Sequence, residues 1–129
     1  MTLYKRPEDE ETRHLKAAYI QRLIKCAEQI KSFLVQAKQQ LPQRRDLKQV
    51  LSLAHRLGGS GMTFGFPEIS RHGHEIDLYL DKMLRTYSDI RDMPHQDFFI
   101  LENRMLDLLE SCAQAIQKEN APKNGYRFA

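Results

Sequence analysis

The sequence carries one histidine in unusual company. His55 heads the run HRLGGSGMTFGF, in which Gly58, Gly59 and Gly61 fall within four positions. Imidazole is a competent nucleophile whose charge changes near neutrality. On a helix, residues three and four positions on share the face of the first, so Gly58 and Gly59 lie one turn along from His55. Each interior glycine weakens a helix by roughly 1 kcal/mol relative to alanine. Either the pair serves tight internal packing against another helix, or it clears the approach to the ring for a second protein, with Arg56, Met62 and Arg71 as further partner contacts. Gly61 falls instead on the apolar stripe and is expected to admit close helix packing. Gly65 is expected to help form a turn.

A second set of capable side chains follows. Ser70, His74, Asp77 and Asp81 recur at spacings of four, three and four, which places them on one side of a helix. Suppose the two helical stretches form an antiparallel hairpin turning near residues 64–66. His55 then lies about ten residues before the turn and Asp77 about eleven after it, so the two are level. A carboxylate there accepts a hydrogen bond from His55 Nδ1, fixes the tautomer and leaves Nε2 as the reacting atom. Taken without His55, Asp77 reads as a surface carboxylate or as an ion-pair partner of Arg71, Lys82 or Arg85. His55, His74 and Asp77 would also make a conceivable metal triad, but nothing in the pattern demands a metal and none is assigned. His72 cannot join His74 in such a site, because a spacing of two turns them roughly 200° apart on a helix. His14 and His95 read as surface residues.

Four helical patterns supply the positioning elements. The first spans about residues 9–41, with a stripe of Ile20, Leu23, Ala27, Ile30, Leu34, Ala37 and Leu41, opened by Pro7 and four acids and closed by Pro42. The second spans about 44–63 on Leu47, Val50, Ala54, Leu57 and Gly61. The third starts at Pro67 and carries Ile69, Gly73, Ile76, Leu80, Met83 and Tyr87. The fourth starts near Pro94 and carries Phe98, Leu101, Met105, Leu108, Cys112 and Ala115. Short loops between amphipathic helices predict antiparallel neighbours, hence an all-α, up-down-up-down four-helix bundle. The long first pattern predicts an N-terminal helical extension. Residues 1–118 are read as the bundle and 119–129 as a disordered tail or linker.

Composition bounds the function. The 129 residues suit one domain, 41% hydrophobic and 29% charged. No stretch is apolar enough to cross a bilayer and the N-terminus lacks a secretory pattern. Cys26 and Cys112 stand far apart without CxxC spacing, which predicts buried free thiols and a cytoplasmic protein. The net charge of +3 is spread out, with one small cluster at Arg44, Arg45 and Lys48. That is too sparse for a nucleic-acid binder and reads as an ordinary solvated surface or as weak complementarity to an acidic partner. No GxxxxGK[ST] or Gly-rich nucleotide fingerprint occurs, so the chain is not a complete kinase.

The stretch AHRLGGSGMTFGFPEI resembles the signature of histidine-containing phosphotransfer (HPt) domains. His55, Leu57, Gly59, Ser60, Gly61, Gly65 and Ile69 stand at that signature's offsets, and MTFGF is similar to the phosphotransfer domain of chemotaxis histidine kinases. The resemblance covers roughly residues 15–118. It implies a phosphorelay intermediate in which His55 carries a phosphoryl group between a histidine kinase or hybrid kinase, or a receiver phosphoaspartate, and a response-regulator receiver aspartate. It implies Asp77 as the residue that orients His55 and His74 as an auxiliary. It implies no cofactor of the chain's own, because the receiver brings its acidic pocket and metal ion. A monomer is expected, since the four stripes satisfy one another. One departure stands out: the family's usual basic residue at the third position after the histidine is Gly58 here. The alternative reading is a degenerate adaptor of the same fold that binds a signalling partner without taking phosphate.

Overall fold

The computed structural model describes residues 10–120. It contains helices α1 (Glu10–Gln39), α2 (Arg44–Ser60), α3 (Pro67–Thr86) and α4 (His95–Asn120), with a short 3-10 turn at Ile90–Asp92 between the last two. They form the expected four-helix bundle. Helix α2 packs most extensively on α3, α3 on α4, and α4 on α1, while the contact between α1 and α2 is sparse. The stripes meet in one core. Leu23, Leu47, Ile76, Leu80, Met105 and Cys112 have no more than a trace of surface exposed. Burial of such side chains contributes about 1.5–3 kcal/mol each and outweighs the helix-weakening glycines.

Three boundaries differ from the periodicity. Helix α1 stops at Gln39, and Leu41 lies beyond it and is exposed. The apolar stripe had run on because Pro42 blocks helix only for residues near it, and leucine alone does not mark burial. Helix α2 ends at Ser60, since Gly61 begins the turn that reverses the chain. Helix α4 runs through Asn120, so residues 119 and 120 belong to the bundle rather than to a tail. The remainder of that tail and Pro7 lie outside the described residues. The expected N-terminal extension is a continuation of α1: residues 10–18 contain no buried side chain, and Lys16 pairs with Glu119 of α4 at 3.9 Å.

The α2–α3 connection is built for tightness. Gly65 adopts φ +89°, the left-handed region that favours glycine, and closes the turn. Phe66 N–H donates to the Gly61 carbonyl at 2.8 Å, and Met62 N–H donates to the buried Ser70 hydroxyl at 2.6 Å. Phe64 stacks on Tyr19 of α1 with centroids 4.3 Å apart, and Tyr19 shares a 2.9 Å hydrogen bond with Ser60. At the other end of the pair, Arg44 donates to the carbonyls of Leu84 and Tyr87, the latter at 2.7 Å. These are carbonyls at the C-terminus of α3 that no helical N–H can reach. The hairpin is thus pinned at both ends.

Candidate functional site

His55 lies in the last turns of α2, one residue past the buried Ala54, and so points off the core stripe. Its side chain is 77% exposed. Across the groove, Asp77 projects from α3 and is 24% exposed. His55 Nδ1 and Asp77 Oδ2 are 2.8 Å apart. A carboxylate only accepts, so Nδ1 is the donor, and the neutral ring in this tautomer has its lone pair on Nε2. The level crossing expected from the residue count is observed. Of the three competing cations, Arg71 is engaged by Glu68 and Glu75 and Arg85 by Asp81 at 2.9 Å, while Lys82 lines a separate pocket with Tyr79 and Asp97. Asp77 is left to the imidazole.

The glycines divide differently from the sequence reading. Of the Gly58–Gly59 pair, Gly59 alone is open: a Cβ there would meet nothing within 4 Å. Gly58 is buried. A Cβ at Gly58 would come within 3.0 Å of His74 Nδ1 and 3.2 Å of the His74 backbone nitrogen. Gly73 of α3 faces it, where a Cβ would lie 2.7 Å from Gly58 N. Gly58 is therefore a helix-contact residue under His74 and not a surface offered to a partner. The physical reason is that α3 crosses α2 just there, which spacing along α2 alone does not reveal. Gly61 behaves as expected, its absent Cβ being 2.7 Å from Ser70 N.

The remaining expected residues scatter. Met62 is 64% exposed beside the turn and Leu78, one residue past Asp77, is 75% exposed. Leu78 is an apolar feature the sequence reading passed over; its place in the interval between Ile76 and Leu80, off the stripe, was the available signal. Arg56 does not join His55. Its Nε donates to the Ser52 carbonyl at 3.4 Å, and the side chain opens on the groove between α1 and α2. Arg71 is half exposed but held by its two glutamates. Of the basic cluster, Arg44 caps α3 and, with Lys48, lines a groove of about 500 Å³ that also holds His55, Asp77 and Arg85. His72 turns away from His74, towards Glu75 and the α3–α4 seam, at 3.5 Å. Among the described residues no group of three His, Cys, Asp or Glu is placed to hold a metal ion.

The thiols are separated in character. Burial pushes the Cys112 thiol up to about 12, and Cys26, only half-buried, is raised by burial as well. Both are free. Neither is a nucleophile at neutral pH in this setting.

With this geometry in place, the comparisons are specific. The family model for the Hpt domain matches residues 14–119. The chain belongs to the Hpt domain family, whose role is histidine phosphotransfer in two-component signalling with kinases and response regulators. No curated protein and no solved structure matches the chain. No helix among the described residues is long and apolar enough to cross a membrane.

Proposed function

We propose that His55 Nε2 carries the phosphoryl group of a phosphorelay, taking it from a receiver-domain phosphoaspartate or a histidine kinase and passing it to a receiver aspartate. The observation that carries this reading is the Nδ1–Asp77 hydrogen bond beneath an exposed Nε2. In the transfer the Nε2 lone pair forms the N–P bond as the P–O bond to the donor aspartate breaks and that carboxylate departs. The imidazole becomes cationic while Nδ1 keeps its proton, and the Asp77 carboxylate balances the new charge. Return transfer reverses these steps. Phosphoryl transfer depends mainly on positioning and charge stabilisation, so an exposed, oriented imidazole suffices on this side of the reaction. The approach is open over Gly59, and the exposed Met62 and Leu78 offer apolar contact to a docking receiver domain.

The test is transfer from a phosphorylated receiver domain. Radiolabel moves to the wild-type chain and not to His55→Gln. A second reading has one observation in its favour: Gly58 lacks the side chain that relatives use beside the phosphoryl group. In that reading the chain is an adaptor, binding a receiver domain without accepting label. Binding without transfer by the wild type would select it.

A further inference from the structure

The exposed side of α2 extends well beyond the reacting ring. Lys48, Ser52, His55 and Gly59 follow one another at spacings of four, three and four, and each is exposed. Lys48 and His55 are seven residues apart, so they differ by about 20° around the helix and about 10.5 Å along it. Side chains on a helix lean alike towards its N-terminus, so the ammonium and the imidazole keep roughly that separation. Lys48 thus shares the face of the ring but lies two turns away, placed for a partner's surface rather than for a group bonded to Nε2.

The charges in the groove between α2 and α3 single out the same residue. Arg44, Lys48, His55, Asp77, Asp81 and Arg85 line it. Asp77 is engaged by His55 at 2.8 Å and Asp81 by Arg85 at 2.9 Å. Arg44 is engaged by the carbonyls of Leu84 and Tyr87. Asp46, two residues before Lys48, accepts the Gln43 N–H at 3.0 Å. Lys48 has no hydrogen bond or ion pair among the described residues. The charges that share its groove are matched, and its own is not.

A stable protein–protein contact covers about 800 Å² on each partner, a disc of about 16 Å radius. A partner that brings a reacting atom to His55 Nε2 therefore also covers Lys48, towards the rim. A covered ammonium loses water and needs an anion in exchange. We infer that Lys48 is a partner-selecting contact, pairing with a carboxylate that the receiver domain carries about 10 Å from its reacting aspartate. The inference rests on His55 as phosphoacceptor. It gives Lys48 a part in encounter rather than in chemistry, because rim charges act mainly on the association rate and its salt dependence.

Two donors separate docking from chemistry. One is the phosphorylated receiver domain, among those of the same organism, that transfers fastest to the wild type. The other is phosphoramidate, which needs no docking surface: His55 Nε2 forms the N–P bond as the donor's P–N bond breaks, and the nitrogen leaves as ammonia. Rates are measured for wild type, Lys48→Ala, Lys48→Glu, Lys48→Arg and Lys31→Glu, the last an exposed lysine on α1. The salt runs from about 0.01 to about 0.15 M, over which the screening length falls from about 30 to about 8 Å. At low salt the second-order rate constant for receiver transfer is expected to fall about threefold in Lys48→Ala and about tenfold in Lys48→Glu. Lys48→Arg keeps the wild-type rate, the losses shrink as salt rises, and the loss with the receiver exceeds any loss with phosphoramidate. Lys48→Glu transferring from the receiver as fast as wild type at low salt would overturn the inference. So would an equal loss with both donors, or Lys31→Glu as slow as Lys48→Glu, which would make the effect one of net charge. Phosphohistidine from phosphoramidate but from no receiver domain would overturn it and leave His55 as acceptor. No phosphohistidine from either donor would overturn both.

Discussion

Asp77 Oδ2 lies 2.8 Å from His55 Nδ1, and in the proposed transfer that bond leaves Nε2 as the reacting nitrogen. A hydrogen bond to a charged group contributes about 1.5–3 kcal/mol, and exposure of the imidazole places this one at the low end. Asp77→Asn is therefore expected to slow phosphorylation of His55 on the order of tenfold, with the fold unchanged by circular dichroism. Gly59 separates docking from stability. Its missing Cβ faces open space inside a helix, so Gly59→Ala is expected to raise stability by about 0.5–1 kcal/mol in urea denaturation. The same change puts a methyl group on the approach to His55 and slows transfer from a receiver domain. The His55–Asp77 crossing was legible as two counts from one turn. The burial of Gly58 was not, because an offset along α2 says which face a residue occupies but not which helix covers it.

The α2–α3 hairpin positions the site, and its closeness rests on Gly73 and Gly61. At Gly73 a Cβ would meet only backbone, 2.7 Å from Gly58 N and 2.9 Å from the Ala54 carbonyl. Neither atom can give without moving the helix. Gly73→Ala is expected to destabilise the protein by about 1–3 kcal/mol, as overpacking does, and to pull Asp77 off His55. A fall in melting temperature with a parallel loss of phosphorylation checks this. The four helices were legible because their stripes repeat at three and four residues over many turns. Their ends were less so. Leu41 continues the spacing of α1 but lies past its last turn, and Arg44 reads as a surface cation until the carbonyls of Leu84 and Tyr87 are seen beneath it.

On the scale of the whole bundle, Cys112 reports on the core. It is buried in α4 with its thiol raised from an ordinary 9.0 to about 12. A buried acid that resists ionisation favours the folded state until the unfolded thiol begins to ionise. Stability on this account is full below about pH 9 and falls as pH rises towards 12, and burial of Tyr19 acts in the same direction. Urea midpoints across that alkaline range are expected to decline, and less so in Cys112→Ala once its own cavity penalty is subtracted. With a thiol reagent near neutrality, Cys112 is expected to react only as the bundle opens, after Cys26. The sparse contact between α1 and α2 keeps Arg56 on a groove of its own, apart from the reacting ring. The proposed transfer uses only the α2–α3 face and a single nitrogen. The most direct measurement is the position of the phosphoryl group on the His55 ring, read by ¹⁵N–³¹P coupling after transfer from a phosphorylated receiver domain. Phosphorus on Nε2, with Nδ1 still protonated, is the expected result. Phosphorus on Nδ1, or on any residue other than His55, would contradict it.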